Sequence, residues 1–93
     1  MDIQHTRGDT KGRYWVVIED GPEAEMTYSR AGDTMIIIDH TAVPEAYRGQ
    51  NVGVRLVERA VMDARAEGLK IMPLCPFAAA QFRRHADWQD VLS

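Results

Sequence analysis

Apolar and polar positions change rhythm along the chain, and those changes mark out its elements. Between Arg13 and Glu19 the residues Tyr14, Trp15, Val16, Val17 and Ile18 form a run rich in aromatic and β-branched side chains, which predicts a strand. Asp20-Gly21-Pro22 ends it as a turn, since glycine tolerates positive φ and proline cannot donate to a ladder. Ala24, Met26 and Tyr28 then alternate with Glu25, Thr27 and Ser29, the period of two of a strand with one wet face. After the turn Ala31-Gly32-Asp33, the run from Thr34 through Met35, Ile36, Ile37 and Ile38 to His40 predicts a more buried, central strand. Turns this short force the three strands into an antiparallel meander.

Beyond Gly53 the spacing becomes three and four. Val54, Val57, Ala60, Val61 and Ala64 form an apolar stripe that Leu56 widens, while Arg55, Glu58, Arg59, Asp63 and Arg65 face water. That pattern predicts an amphipathic helix, with Gly68 as its left-handed terminator. Leu69 to Cys75 reads as a further strand, in which Pro73 marks an edge or a splayed end. Pro76 suits the first position of a second helix running from Phe77 to His85. The tail Ala86 to Ser93 returns Trp88, Val91 and Leu92 to the core as a short turn. Residues up to about Lys11 are polar and read as a flexible start or a short edge element. The expected fold is α+β, in the order β-β-β-α-β-α with the fourth strand splayed.

Composition narrows the classes of function. With 93 residues, 45% hydrophobic and 27% charged, residues 1–93 are expected to form one small folded domain. A net charge of -3 leaves no footprint for nucleic acid, although basic residues gather in the C-terminal half. Cys75 is the only cysteine, so neither an intramolecular disulfide nor an all-cysteine metal site can form, and no His/Cys/Asp/Glu spacing resembles a metal site. The start Met1-Asp2-Ile3-Gln4-His5 lacks the apolar run of a signal peptide, and Met35 to Ile38 is too short to cross a bilayer. A cytoplasmic monomer or weak dimer without membrane contact is the expectation.

The stretch Tyr47-Arg48-Gly49-Gln50-Asn51-Val52-Gly53 lies between strand and helix. Such a turn is a general anion site, because the first helical N–H groups lack intrahelical partners and the helix dipole favours negative charge. Gly49 and Gly53 let amides approach a phosphate, and Arg48 adds a charge. A plain helix cap is the alternative. A P-loop is excluded because Val54-Arg55 follows Gly53, and a Rossmann fingerprint because the loop follows a meander.

Arg48-Gly49-Gln50-Asn51-Val52-Gly53 resembles the Arg/Gln-x-x-Gly-x-Gly/Ala signature of the GNAT acetyltransferase superfamily. Together with Ile38 to Thr41, Asp63 to Lys70 and Pro73 to Ala78, it looks like the small single-domain GNAT-like subfamily that includes the YjdJ-type proteins. The resemblance implies acetyl-CoA as ligand, with its pyrophosphate on Arg48, Gly49, Gln50, Asn51, Val52 and Gly53. It also implies a pantetheine arm along Thr41, Ala42 and Val43, opposite a splay at Pro73 to Cys75. Pro76, Phe77 and Arg84 join this binding set; the trio Arg83-Arg84-His85 reads either as a contact to the 3′-phosphate or adenine or as a solvated basic helix end. The first signature glycine is replaced by Asn51, the non-glycine residue best suited to a left-handed conformation.

Many GNAT enzymes protonate the departing thiolate with a tyrosine seven residues after a strand-ending asparagine. Here those two positions are Phe82 and Cys75, so the usual acid is missing. Cys75, ahead of a helix N-terminus, is the substitute candidate, as general acid or acetyl acceptor; its other reading is a small buried apolar residue. His40 is the second catalytic candidate, or else a structural hydrogen-bonding group. Three functions stay open: an N-acetyltransferase acting on an unidentified amine or protein acceptor, a non-catalytic CoA-binding sensor or partner module, and an interaction domain in which the loop is only a helix cap.

Overall fold

The chain lays its strands side by side in the order in which it makes them. In the computed structural model, which describes residues 1–93, the strands are β1 (Gln4–Arg7), β2 (Lys11–Val17), β3 (Glu23–Ala31), β4 (Met35–Ala42) and β5 (Lys70–Pro73). They form one sheet ordered β1-β2-β3-β4-β5, antiparallel except for the parallel pair β4 and β5. That parallel pairing requires a crossover, supplied by helix α1 (Val52–Glu67). Helix α2 (Pro76–Arg84) and a 3₁₀ turn at Ala86–Val91 complete the chain.

The expected meander gains a strand at its edge. Gln4 to Arg7 pair with Trp15 to Gly12, settling the N-terminal segment as an edge strand. The local sequence is polar, so tertiary contacts hold it. His5 stacks on Tyr14 at 4.0 Å and its Nε2 lies 2.7 Å from the Tyr28 hydroxyl, while Arg59 donates to the Ile3 carbonyl at 3.0 Å.

Alternation decides which face each strand buries. Tyr14 and Val16 on β2, Ala24, Met26 and Tyr28 on β3, and Ile36 and Ile38 on β4 are buried. They meet Leu56, Val57, Ala60, Val61 and Ala64 of α1, and Ala78 and Phe82 of α2, in one continuous core. Each fully buried large side chain contributes about 1.5–3 kcal/mol before entropy is counted. α1 ends as its sequence requires: Gly68 has φ 71° and ψ 27°, and its N–H bonds the Ala64 carbonyl. The tail closes against the far edge, with Trp88 edge-on to Phe82 and the Ser93 N–H on the Ile71 carbonyl.

A β-bulge breaks the alternation at a decisive place. Tyr28 pairs with Ile38 but Thr27 pairs with His40, which leaves Asp39 as the extra residue of β4. Uninterrupted alternation would put His40 on the face of Ile36 and Ile38. The bulge instead brings Thr41 onto the helix-covered side, opposite Met26, and leaves His40 exposed beside Thr27 on the open face.

Candidate functional site

The loop between β4 and α1 is built around a buried tyrosine. Tyr47 closes a 3₁₀ turn (Glu45–Tyr47) and is buried. Its hydroxyl donates to the Pro22 carbonyl at 2.5 Å and accepts the Ile18 N–H at 3.1 Å, tying the loop to the turn between β2 and β3. Beyond that anchor Gly49 has φ 85° and Asn51 has φ 57° and ψ 29°, both left-handed. Glycine adopts this conformation freely and asparagine is among the few other residues that do so at modest cost. Asn51 is the N-cap of α1, yet its side chain makes no capping bond.

Two left-handed residues so close together turn the amides outward. Within the loop the N–H groups of Arg48 and Gln50 bond the carbonyls of Glu45 and Tyr47, and Arg55 bonds Asn51. The amides of Gly49, Asn51, Val52, Gly53 and Val54 have no acceptor in the chain. All five residues line one groove of about 290 Å³. Free N–H groups at the positive end of a 16-residue helix form a concave site for an anion.

Helix α2 forms the opposite wall. Phe77, Gln81 and Arg84, spaced four and three apart, present one stripe to the groove, and Val43 closes its end. Gly53 permits the close approach: a Cβ there would stand 2.7 Å from Phe77 Cζ and 3.3 Å from Val43 Cγ2. Arg48 is 80% exposed and only loosely paired with Glu45 at 3.6 Å, so its guanidinium is free to swing. Arg84 is exposed and has no ion-pair partner within the chain. Gln81, by contrast, is only 5% exposed.

Beside this groove the sheet opens. Pairing of β4 with β5 stops at Ile38 and Pro73, and the N–H groups of Leu74 and Cys75 both converge on the Ile38 carbonyl at 3.1 Å. Past that point the ladder between the two strands ends, in keeping with a proline that has no N–H to donate. Cys75 caps α2 and is buried, its Sγ 3.5 Å from Thr41 Oγ1 across the gap. Burial pushes the thiol pKa up, but the Thr41 hydroxyl and the amides of Ala78, Phe77 and Thr41 outweigh it and hold the pKa below its ordinary value.

Of the positions singled out from the sequence, Val43, Arg48, Gly49, Asn51, Val52, Gly53, Phe77 and Arg84 share the groove. Thr41 and Cys75 meet at the splay, whereas Ala42, Gln50 and Pro76 are exposed outside the groove lining. His40 lies across β4 from Cys75, for the reason of register given above. Phe82 is buried edge-on against Trp88, 5.7 Å between ring centres, and has no proton to give. Sequence reasoning missed Tyr47 as an anchor and Gln81 as a lining residue; the spacing Phe77, Gln81, Arg84 was the available signal for the latter.

A larger hollow of about 560 Å³ lies toward the β1–β2 turn, lined by Thr6, Arg13, Thr27 and Asp39 among others. It shares no residue with the loop, and most of its charged side chains are already engaged, Arg7 by Glu67, Arg13 by Glu23 and Glu25, and Asp39 by Ser29. The amide-lined groove is therefore the better candidate. No three His, Cys, Asp or Glu side chains gather as a metal site, and no helix is long and apolar enough to cross a membrane.

Comparison with known proteins bears on the same features. Residues 13–91 match the protein family described as GCN5-related N-acetyl-transferase. The chain is also similar to the NMR solution structure of a GCN5-like protein from Staphylococcus aureus, with a TM-score of 0.75 and 33% identity, covering 99% of this chain and 87% of that one. No curated protein matches the chain.

Proposed function

The chain belongs to the GCN5-related N-acetyl-transferase family, and from that premise we propose that residues 1–93 act as one unit that binds acetyl-CoA and transfers its acetyl group to an amine. The observation that carries the reading is the set of five unpaired amides, from Gly49 and from Asn51 to Val54, lining a single groove. Of these residues Val52 and Gly53 are buried and Val54 half-buried, where an unmatched N–H is costly, and a pyrophosphate supplies several acceptor oxygens at once. Arg48 and Arg84 add positive charge at the groove's margins, and the splayed β4 edge at Thr41, Ala42 and Val43 offers backbone groups to an amide-bearing arm.

Acetyl-CoA would supply an activated thioester; the protein supplies position and protons. Cys75 holds a proton at Sγ beside the splay, at a pKa below that of an ordinary thiol, which suits it to protonate a departing thiolate. His40, exposed on the open face of β4, would take the proton of an amine arriving from that side. The two groups thus serve opposite faces of the same strand.

A second reading, a CoA-binding module without turnover, is favoured by one observation: the position of the usual tyrosine holds Phe82, buried against Trp88. Two measurements separate these readings. Acetyl-CoA should raise the melting temperature under both, because a ligand that binds only the native state stabilises it. Acetylation of an amine panel, lost in Cys75→Ala, is expected of the enzyme alone. Binding with no turnover on any amine and no acetyl on Cys75 selects the module, and no thermal shift at millimolar acetyl-CoA refutes both.

A further inference from the structure

Gln81 is the one buried polar side chain in the protein. Its backbone carbonyl is taken by His85 Nδ1–H at 2.8 Å, but its carboxamide has no partner in the chain. No fully enclosed polar side-chain atom is left unpaired, so the carboxamide keeps its small exposure at the groove it lines. A neutral amide with no partner in the chain, reached by solvent only at the groove wall, has donor and acceptor left for a ligand.

The chemistry of that ligand group follows from the carboxamide itself. It offers donor and acceptor together, whereas a phosphate only accepts and would pair the NH₂ while leaving the carboxamide oxygen unmatched. Anion binding is already provided by the loop amides and the arginines. Gln81 also lies one helical turn beyond Phe77, whose ring packs on Gly53 and which follows Cys75 by two residues. An arm joining a thioester near Cys75 to a pyrophosphate on the loop has to pass this stretch. Resting on the acetyl-CoA reading, we infer that Gln81 hydrogen-bonds a secondary amide of the pantetheine arm, N–H to its side-chain oxygen and C=O to its side-chain NH₂. Gln81 is thereby a positioning residue: it fixes how far the thioester reaches toward Cys75.

Calorimetric titration of wild type and Gln81→Met with acetyl-CoA, 4′-phosphopantetheine and adenosine 3′,5′-bisphosphate tests this. Methionine keeps the volume and deletes both polar partners, so its melting temperature should match or exceed that of wild type. Affinity for acetyl-CoA and for 4′-phosphopantetheine should each fall about tenfold, with that for adenosine 3′,5′-bisphosphate unchanged. Equal loss on all three ligands would assign Gln81 to the nucleotide or to general packing and overturn the inference. Unchanged acetyl-CoA affinity would overturn it too, while leaving the acetyl-CoA reading intact. Absence of acetyl-CoA binding in wild type would instead remove the reading on which it rests. Gln81→Asn, which keeps the chemistry but shortens its reach, should recover binding only partly; full recovery would contradict a fixed reach.

Discussion

Gly53→Ala separates the groove from the fold. Gly53 sits in the first turn of α1 with helical rather than left-handed backbone, so alanine is allowed there and gains at most about 1 kcal/mol of helix propensity. Its new Cβ would lie 2.7 Å from Phe77 Cζ, 2.9 Å from Cε2 and 3.3 Å from Val43 Cγ2. Ordinary carbon contacts are about 3.5–4.0 Å, so the Phe77 ring must retreat by about 1 Å. The ring is 38% exposed and free to yield, and the open space beside it is the groove. Propensity gain and contact loss nearly cancel, and the melting temperature should move by less than about 5 °C. Narrowing the ligand's channel carries the usual overpacking cost of about 1–3 kcal/mol, so acetyl-CoA affinity should drop tenfold or more by titration calorimetry. Affinity within twofold of wild type would refute the placement of Phe77 as a wall of the site. A large fall in melting temperature would refute the claim that the ring can yield.

Three other perturbations probe the supports of the site. Tyr47→Phe deletes the hydroxyl that meets Pro22 and Ile18, and should cost about 1–3 kcal/mol in urea unfolding and weaken acetyl-CoA binding as the loop loosens; an unchanged midpoint would show the anchor to be idle. Thr41→Val removes the hydroxyl facing Cys75 Sγ, so half-maximal alkylation of Cys75 by iodoacetamide should move to higher pH, and an unshifted profile would contradict the assigned cause. His5 has a pKa lowered by burial and by the Arg7 charge, so the native state favours its neutral form, against the opposing pull of Asp63. The unfolded chain takes up a proton near pH 6.5, so stability is complete above that pH and declines as pH falls below it. His5→Gln should flatten this part of the urea-midpoint profile, and an identical slope in the variant would assign the acid sensitivity elsewhere.

Much of the architecture could be read from local pattern because the pattern and the packing agree. The alternation in β3, the three-four spacing of α1 and the terminator Gly68 each have a single physical reading. Gln4 to Arg7 carries no such pattern, and its pairing depends on His5 and Arg59 contacts made far along the chain. The bulge at Asp39 has no local signature either, yet it sets which of His40 and Thr41 faces Cys75. In the loop, the left-handed Asn51 followed from the preferences of asparagine. Gln81 did not follow from composition, since a glutamine on a short helix ordinarily faces water. Only the opposing wall of the groove shows that its stripe is turned inward.

The most direct test is a nitrogen-15 NMR titration of the wild-type protein with acetyl-CoA. Saturable shifts should concentrate on the amides of Gly49 and Asn51 to Val54, with smaller ones along Phe77, Gln81 and Arg84. A titration that leaves these amides still, or that shifts only the hollow around Thr6, Arg13 and Thr27, would contradict the proposed site.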